Sequence, residues 1–433
     1  MEAAGARVLG EAEARTSAEG LVVAASLELP RVSPREVLAE LAIEPPETRD
    51  PEVLQRLEGS AELRLREGVL RVEPLSLTVD DTELTGQASV SDFATPAFAF
   101  ELGADALDLD RYLPPEAEED AAGTPGGAAA AGAAELPVET LRALNLDGRI
   151  TVAELKAYGV RAREVELVVR AADGELRVHP LNASLYGGQY QGDVRVDATG
   201  DEARIRVDER LEAISAGPLL TDLMGFEKLL GTASLSLQAS TTGRTTDALL
   251  ETLSGEARFE FLDGAVKGIN IARMLREGVA RLRGGSLEAA AEARRTDFSS
   301  LTGTIDLDGG IARNLDFEAK TPLLRITGEG TVNLIEQMVD YALTVNVVDT
   351  LSGQGGEELQ ALRRVAVPLR FTGSLTDPDI SLAVGEALRG VAEERVREEV
   401  EEKQQEAREK VEEKVGEKLD EEVGDRLRNL LGE

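Results

Sequence analysis

Catalysis needs side chains that hold or pass on protons and electron pairs, and this sequence offers few. It has no cysteine and one histidine, so thiolate nucleophiles, disulfides and Cys-ligated metals are excluded, and a serine has no second histidine to serve as its base. His179 stands before Pro180 in an alternating apolar–polar run, which makes it an extended strand residue rather than a general base or ligand. No GxxxxGK[ST] or GxGxxG loop occurs in a strand-to-helix setting. Asp306-Leu307-Asp308-Gly309 opens like a calcium loop but lacks the later ligands, so a hairpin turn is the better interpretation. Tyr186-Gly187-Gly188-Gln189-Tyr190 pairs two aromatics as a sugar site does, yet its place at the tip of a repeat favours a glycine-kinked hairpin. No catalytic, metal or cofactor site emerges, and the chain is expected not to be an enzyme.

Charge narrows the partners. Against 82 acidic residues stand 47 basic ones, a net charge of −35, which repels nucleic-acid phosphates and argues against any nucleic-acid partner. One stretch runs the other way. Lys267, Arg273, Arg276, Arg281 and Arg283 form a positive island beside an apolar helical stripe of Ile271, Met274, Leu275, Val279 and Leu282. That combination suits contact with anionic lipid head groups through Lys267, Arg273, Arg276 and Arg281; it also suits a helix that caps the end of a sheet with its basic face solvated. Apolar residues make up 42% of the chain but aromatics only 3%, so the interior is aliphatic. The N-terminus lacks the basic and apolar regions of a signal peptide, and no window reaches the roughly 18 apolar residues of a membrane span.

Strands must do the positioning. Most of 20–383 alternates apolar and polar residues with period two, in runs such as AELRLREG, SLSLQAS, ARFEFLDG and VPLRFTG, the pattern of half-buried antiparallel strands pairing with their successors. Asp147–Gly148, Asp173–Gly174, Asp263–Gly264 and Asp308–Gly309 predict hairpin turns, because these residue types tolerate positive φ. The chain also repeats itself. Residues 67–90 align without a gap to 173–196, sharing Gly68/Gly174, Val72/Val178, Pro74/Pro180, Leu75/Leu181 and Gly86/Gly192 among others, and 309–334 is a looser third copy. The unit is a β-meander. Strand-to-helix exits are predicted at 26–41, 100–113, 206–223 and 261–275. Residues 114–136, rich in Pro, Gly, Ala and Glu, are expected to be a mobile insert. Residues 384–433 are expected to form a charged amphipathic helix whose stripe drifts about 40° per four-residue step and which stands apart from the β body.

Several of these stretches resemble the AsmA family of bacterial envelope proteins: ALLETLSGEARFEFLDGAVKGINIARML, TDFSSLTGTIDLDGG, LLRITGEGTVNL with VDYALTVNV, VPLRFTGSLTDPDISL, and the repeat DGELRVHPLNASLYGGQYQG. The resemblance covers 137–383 well and 20–113 more weakly. It implies a β-rich body in the periplasm, tethered to the inner membrane by an N-terminal helix, with a role in outer-membrane biogenesis and lipid homeostasis. It further implies a β-groove that carries phospholipid or another envelope lipid. That anchor is absent from this chain, which is expected to be a truncated form.

The expected architecture is mainly β: repeated antiparallel meanders forming an elongated curved sheet, groove or sandwich, with short capping helices and the charged C-terminal helix. Its portions are 1–113, 114–136, 137–383 and 384–433. One face of each strand is expected to line a lipid groove through Leu235, Leu237, Phe259, Phe261, Ile305, Leu307, Leu343, Val345, Val367, Leu369 and Phe371. The alternative is an interaction module that assists outer-membrane protein assembly, binding envelope assembly proteins through exposed strand edges and the terminal helix.

Overall fold

A computed structural model describes residues 2–3, 6–17, 20–115, 135–282, 294–348, 365–375 and 377–385, with 359, 362, 387 and 404 as single residues. A short ladder of β1 (Glu2–Ala3) and β2 (Ala6–Arg7) opens the chain. The body is then one sheet. Its first part is β3 (Leu9–Ser17), β4 (Gly20–Val32), β5 (Leu57–Arg66), β6 (Val69–Val79), β7 (Thr82–Ser91) and β8 (Ala97–Asp108). The middle strands are β9 (Leu146–Ala157), β10 (Val160–Ala172), β11 (Glu175–Leu185), β12 (Gly188–Asp197), β13 (Ala203–Ser215), β14 (Leu229–Gly243) and β15 (Ser254–Lys267). The last part comprises β16 (Arg295–Asp308), β17 (Ile311–Lys320), β18 (Leu324–Asn333), β19 (Met338–Val347), β20 (Ala366–Ser374) and β21 (Pro378–Leu382).

Every strand from β3 onward pairs with its successor, as the alternation predicts, giving a 19-stranded sheet that is antiparallel except at β8–β9. Among the described residues no ladder joins β21 to β3, so the sheet is open rather than a barrel. The parallel β8–β9 ladder carries the sheet across the chain portion that contains 116–134, which lies outside the described residues.

All four predicted exits end in a helical turn: α1 (Pro34–Glu40), the 3-10 turn Leu109–Arg111, α3 (Ala216–Met224) and α5 (Ile271–Leu282). Sequence cues explain their ends. Ser33 accepts a hydrogen bond from the Glu36 amide at the start of α1, with Pro34 in the first turn, and Gly225 takes the left-handed conformation that closes α3. Two further helices, α2 (Val138–Ala143) and α4 (Thr246–Glu251), are too short for an apolar period to reveal. No helix among the described residues is long and apolar enough to cross a membrane.

One of the four predicted Asp-Gly turns forms at its pair, Asp173–Gly174 between β10 and β11; between β16 and β17 the turn falls one residue later, at Gly309–Gly310, because Asp308 still belongs to β16 and pairs with Ile311. The other two are corrected. Asp147–Gly148 lies inside β9, where Gly148 faces Phe100 across the parallel ladder and a Cβ would come within 2.1 Å of the ring. Asp263–Gly264 lies inside β15: Asp263 takes φ 47° as a bulge residue, and a Cβ on Gly264 would meet the Leu230 carbonyl at 2.1 Å. The same residues that permit a turn also permit a bulge or a close approach, so local chemistry alone does not separate them. The repeat is structural as well. Both copies break register at the same place, between Val72 and Leu75 and between Val178 and Leu181.

Candidate functional site

Directly opposed residues in a ladder share a face, so the register fixes the surface that the strands present. One row can be followed across eighteen strands, from Ala12 on β3 through Ala25, Leu63, Val72, Ala88, Phe100, Gly148, Val169, Val178 and Val194. It continues through Val207, Ala239, Gly255, Leu307, Ala312, Val332 and Val339 to Gly373 on β20. No member is polar. The residues between them face the other way and are laced with charge: Arg71, Arg170, Arg177, Arg195 and Arg206 lie on that polar face, and Asp193 accepts hydrogen bonds from Arg177 and Arg195 that hold its carboxyl well below the usual carboxylate range.

The eleven expected lining residues all fall on the apolar face, but in two environments. Leu235, Leu237, Phe259, Phe261, Ile305, Leu307 and Phe371 are half-buried. Leu343, Val345, Val367 and Leu369 are instead core, from 9% down to 0% exposed, packed with Leu275 of α5 and with Leu359 and Leu362 of the β19–β20 connection. These four are therefore roofed rather than open. The N-terminal part differs again: among the described residues between Val53 and Val138 no apolar side chain is buried, and β4–β8 show half-buried residues alternating with exposed ones. Neighbours flank those side chains, and among the described residues nothing covers them.

Under the roof is a cavity of about 420 Å³, lined by Phe259 and Val266 of β15, Phe298 and Ile305 of β16, Phe317 of β17, Tyr341 of β19, Phe371 of β20 and Ile271 of α5, among others. β15 and β20 are five strands apart, ~24 Å in a flat sheet at about 4.8 Å per strand. Their sharing one cavity shows that the sheet curls at this end. The cavity's polar groups are already engaged. Tyr341 donates its hydroxyl to Asn314 Oδ1, and Asn314 donates to the Thr304 carbonyl and to Asp316, each at 2.7 Å. Burial, with the Asp316 charge behind it, pushes the Tyr341 phenol up, so it stays neutral. The cavity's lining is therefore almost wholly apolar toward the space it encloses.

α5 is fixed at its start by Asn270, which accepts from the Arg273 amide at 2.9 Å, and by Thr296, which accepts from the Ile271 amide and donates to the Ile269 carbonyl. Ile271, Leu275 and Val279 are its buried stripe, whereas Met274 is half-buried; Leu282's side chain lies outside the described residues. A Cβ on Gly278 would sit 2.7 Å from Val384, so glycine there admits the segment after β21. Val384 is 4% exposed, which places the first residues of 384–433 against α5 rather than apart from the body; nearly all of the rest lies outside the described residues. The basic island is partly answered from within. Arg273 Nε donates to Glu277 at 2.8 Å and Arg281 lies 3.9 Å from the same carboxylate, while Lys267 is exposed at the end of β15 and Arg276 is half-buried. Among the described residues no group of His, Cys, Asp and Glu could hold a metal ion.

The sequence survey missed Glu209. Its signal was available in the run Ile205, Val207, Glu209, Leu211, where a carboxyl occupies an inward slot; register confirms it opposite Gly192 and Leu237.

The described residues thus define a mostly antiparallel open sheet with one largely apolar face, roofed at one end by a short helix. The sequence pattern of the AsmA family matches residues 23–317, and the chain belongs to that family. It is 28% identical over 349 residues to Protein AsmA of Escherichia coli (strain K12), covering 77% of this chain and 56% of the relative, so it spans about half of that protein's length. No solved structure matches it.

Proposed function

We propose that this protein is a cell-envelope factor that shelters lipid acyl chains on the apolar face of its sheet, on the periplasmic side, in support of outer-membrane assembly. The observation that carries this is the continuous apolar row, whose side chains over β4–β8 are only half-buried among the described residues and which leads into the cavity beneath α5. Exposed apolar surface of that extent is costly in water unless it meets a partner. Aliphatic walls without polar hooks suit fluid chains of varied length, and no chemistry beyond contact is required of them. Head groups would remain at the strand ends or in solvent.

Site-specific photo-crosslinking tests it. A benzophenone side chain at Val72, on the apolar face, should capture phospholipid when the protein is expressed in a bacterial envelope, and one at Arg71, its neighbour on the polar face, should not. Equal capture at both positions, or none at Val72 together with lipid-free organic extracts, would refute the proposal.

A further inference from the structure

Walked strand by strand, the apolar face of the described residues carries one charged-type side chain. Glu209 sits about midway along the sheet, between Val207 and Leu211 at inward positions of β13. Tyr190 on β12 donates its hydroxyl to Glu209 Oε2, and the described residues offer Oε1 no hydrogen bond. Gly192 keeps the place open: a Cβ there would stand 2.6 Å from Glu209 Oε2 and 2.7 Å from the Tyr190 hydroxyl.

The first repeat supplies a comparison within the molecule. Its equivalents of Tyr190 and Gly192 are Leu84 and Gly86, and the residue opposite Gly86 is Leu102. The same scaffold is thus built there from aliphatic residues alone, so the tyrosine and carboxyl are not needed to fold it.

We propose that Glu209, held by Tyr190 on the apolar face, is a recognition point for an ammonium group carried by a lipid bound there. The inference rests on the lipid-sheltering role. A half-buried carboxylate needs a partner, and no Lys, Arg or His of the described strands occupies the face around it. The groups that do face it are Tyr190 and Gly192 on β12 and Leu237 on β14; Asp193 and Asp208 act on it from the polar side of the sheet. Asp208 adds to the repulsion of a phosphate or a fatty-acid head and favours a cation, whereas Arg177 and Arg195 largely offset the Asp193 charge. Burial pushes the Glu209 carboxyl up, and Asp208 and Asp193 add to that, against the Tyr190 hydrogen bond. An ammonium at Oε1 would draw it back toward the ionised form, so binding should tighten as pH rises through the Glu209 titration and as long as the amine stays protonated.

Two amphiphiles of equal chain length separate the head from the chain: n-dodecylamine and n-dodecanol, titrated calorimetrically into the protein and into Glu209→Gln at ~0.15 M salt, where nonspecific attraction to the acidic surface is screened beyond about 8 Å. The parent should bind the amine roughly tenfold more tightly than the alcohol, a ratio that one charge-assisted hydrogen bond supports. Glu209→Gln should bind both alike, with alcohol affinity unchanged. Equal affinities in the parent, or a preference that survives Glu209→Gln, would overturn the inference and leave the chain-binding face intact. Binding of neither amphiphile to the parent would overturn both.

Discussion

Asp80 shows how much one side chain organises at the N-terminal end of the sheet. It is 6% exposed and accepts hydrogen bonds from the amides of Leu54, Gln55 and Arg56 and from the Tyr112 hydroxyl, tying the α1–β5 connection to the turn after β8. Burial raises its pKa, but these four donors together outweigh burial and hold the carboxyl below its ordinary value. The sign follows from linkage: a depressed folded pKa contributes stability that is present above the unfolded value, near 3.8, and is lost as pH falls through the folded one. Asp80→Asn should destabilise by roughly 2–4 kcal/mol, since buried donors lose a charged acceptor. Denaturant melts at pH 7 and pH 3 check it, with the difference between parent and variant shrinking at the lower pH. None of this was legible beforehand, because three donors come from backbone of a loop and the fourth from the Tyr112 hydroxyl, all more than twenty residues away. Glu209 is the contrasting case, readable from alternation once a charged residue in an inward slot is treated as a signal.

At the scale of elements, the strands and most turns follow from period-two alternation, which is local. What escaped is non-local. The parallel β8–β9 ladder has no hairpin to announce it, and Leu359 and Leu362, between β19 and β20 in sequence, are buried against inward residues of those strands. For α5 the periodic stripe was visible, but its depth was not: Leu275 is wholly buried and Met274 only half. A charge at Leu275 should therefore unfold the roof, whereas Met274→Asp should be tolerated better, by several kcal/mol. Thermal melts of the two variants decide this, and equal losses would count against the assigned stripe. On the opposite side, Arg273→Gln removes the nearer of two arginines beside Glu277 at a half-buried i,i+4 pair and should cost about 0.5–1 kcal/mol. If it also weakens binding to anionic vesicles at low salt, the basic face meets lipid; if binding is unchanged, α5 is a roof alone.

Across the whole molecule, each strand pairs only with its neighbours, so stability should be distributed along the sheet much as in a repeat array. The two ends are not equivalent. Apolar inward residues of β4–β8 stop at half-burial, while those of β18–β20 reach complete burial beneath α5, Leu359 and Leu362. Burying apolar area is worth about 25 cal/mol per Å², so the uncovered part lacks a term that the roofed part has. Native-state hydrogen exchange should accordingly show amides of β4–β8 opening at least tenfold more often than those of β18–β20, a gap of about 1.4 kcal/mol or more. An amphiphile that fills the apolar face supplies the missing burial, so adding n-dodecanol should raise protection in β4–β8 and leave β18–β20 nearly unchanged. Uniform exchange along the sheet in the absence of amphiphile would mean that the ladders transmit the roof's stability to its far edge. A ligand effect confined to β18–β20 would place the occupied surface in the cavity alone and leave the open rows of β4–β8 without a part in binding.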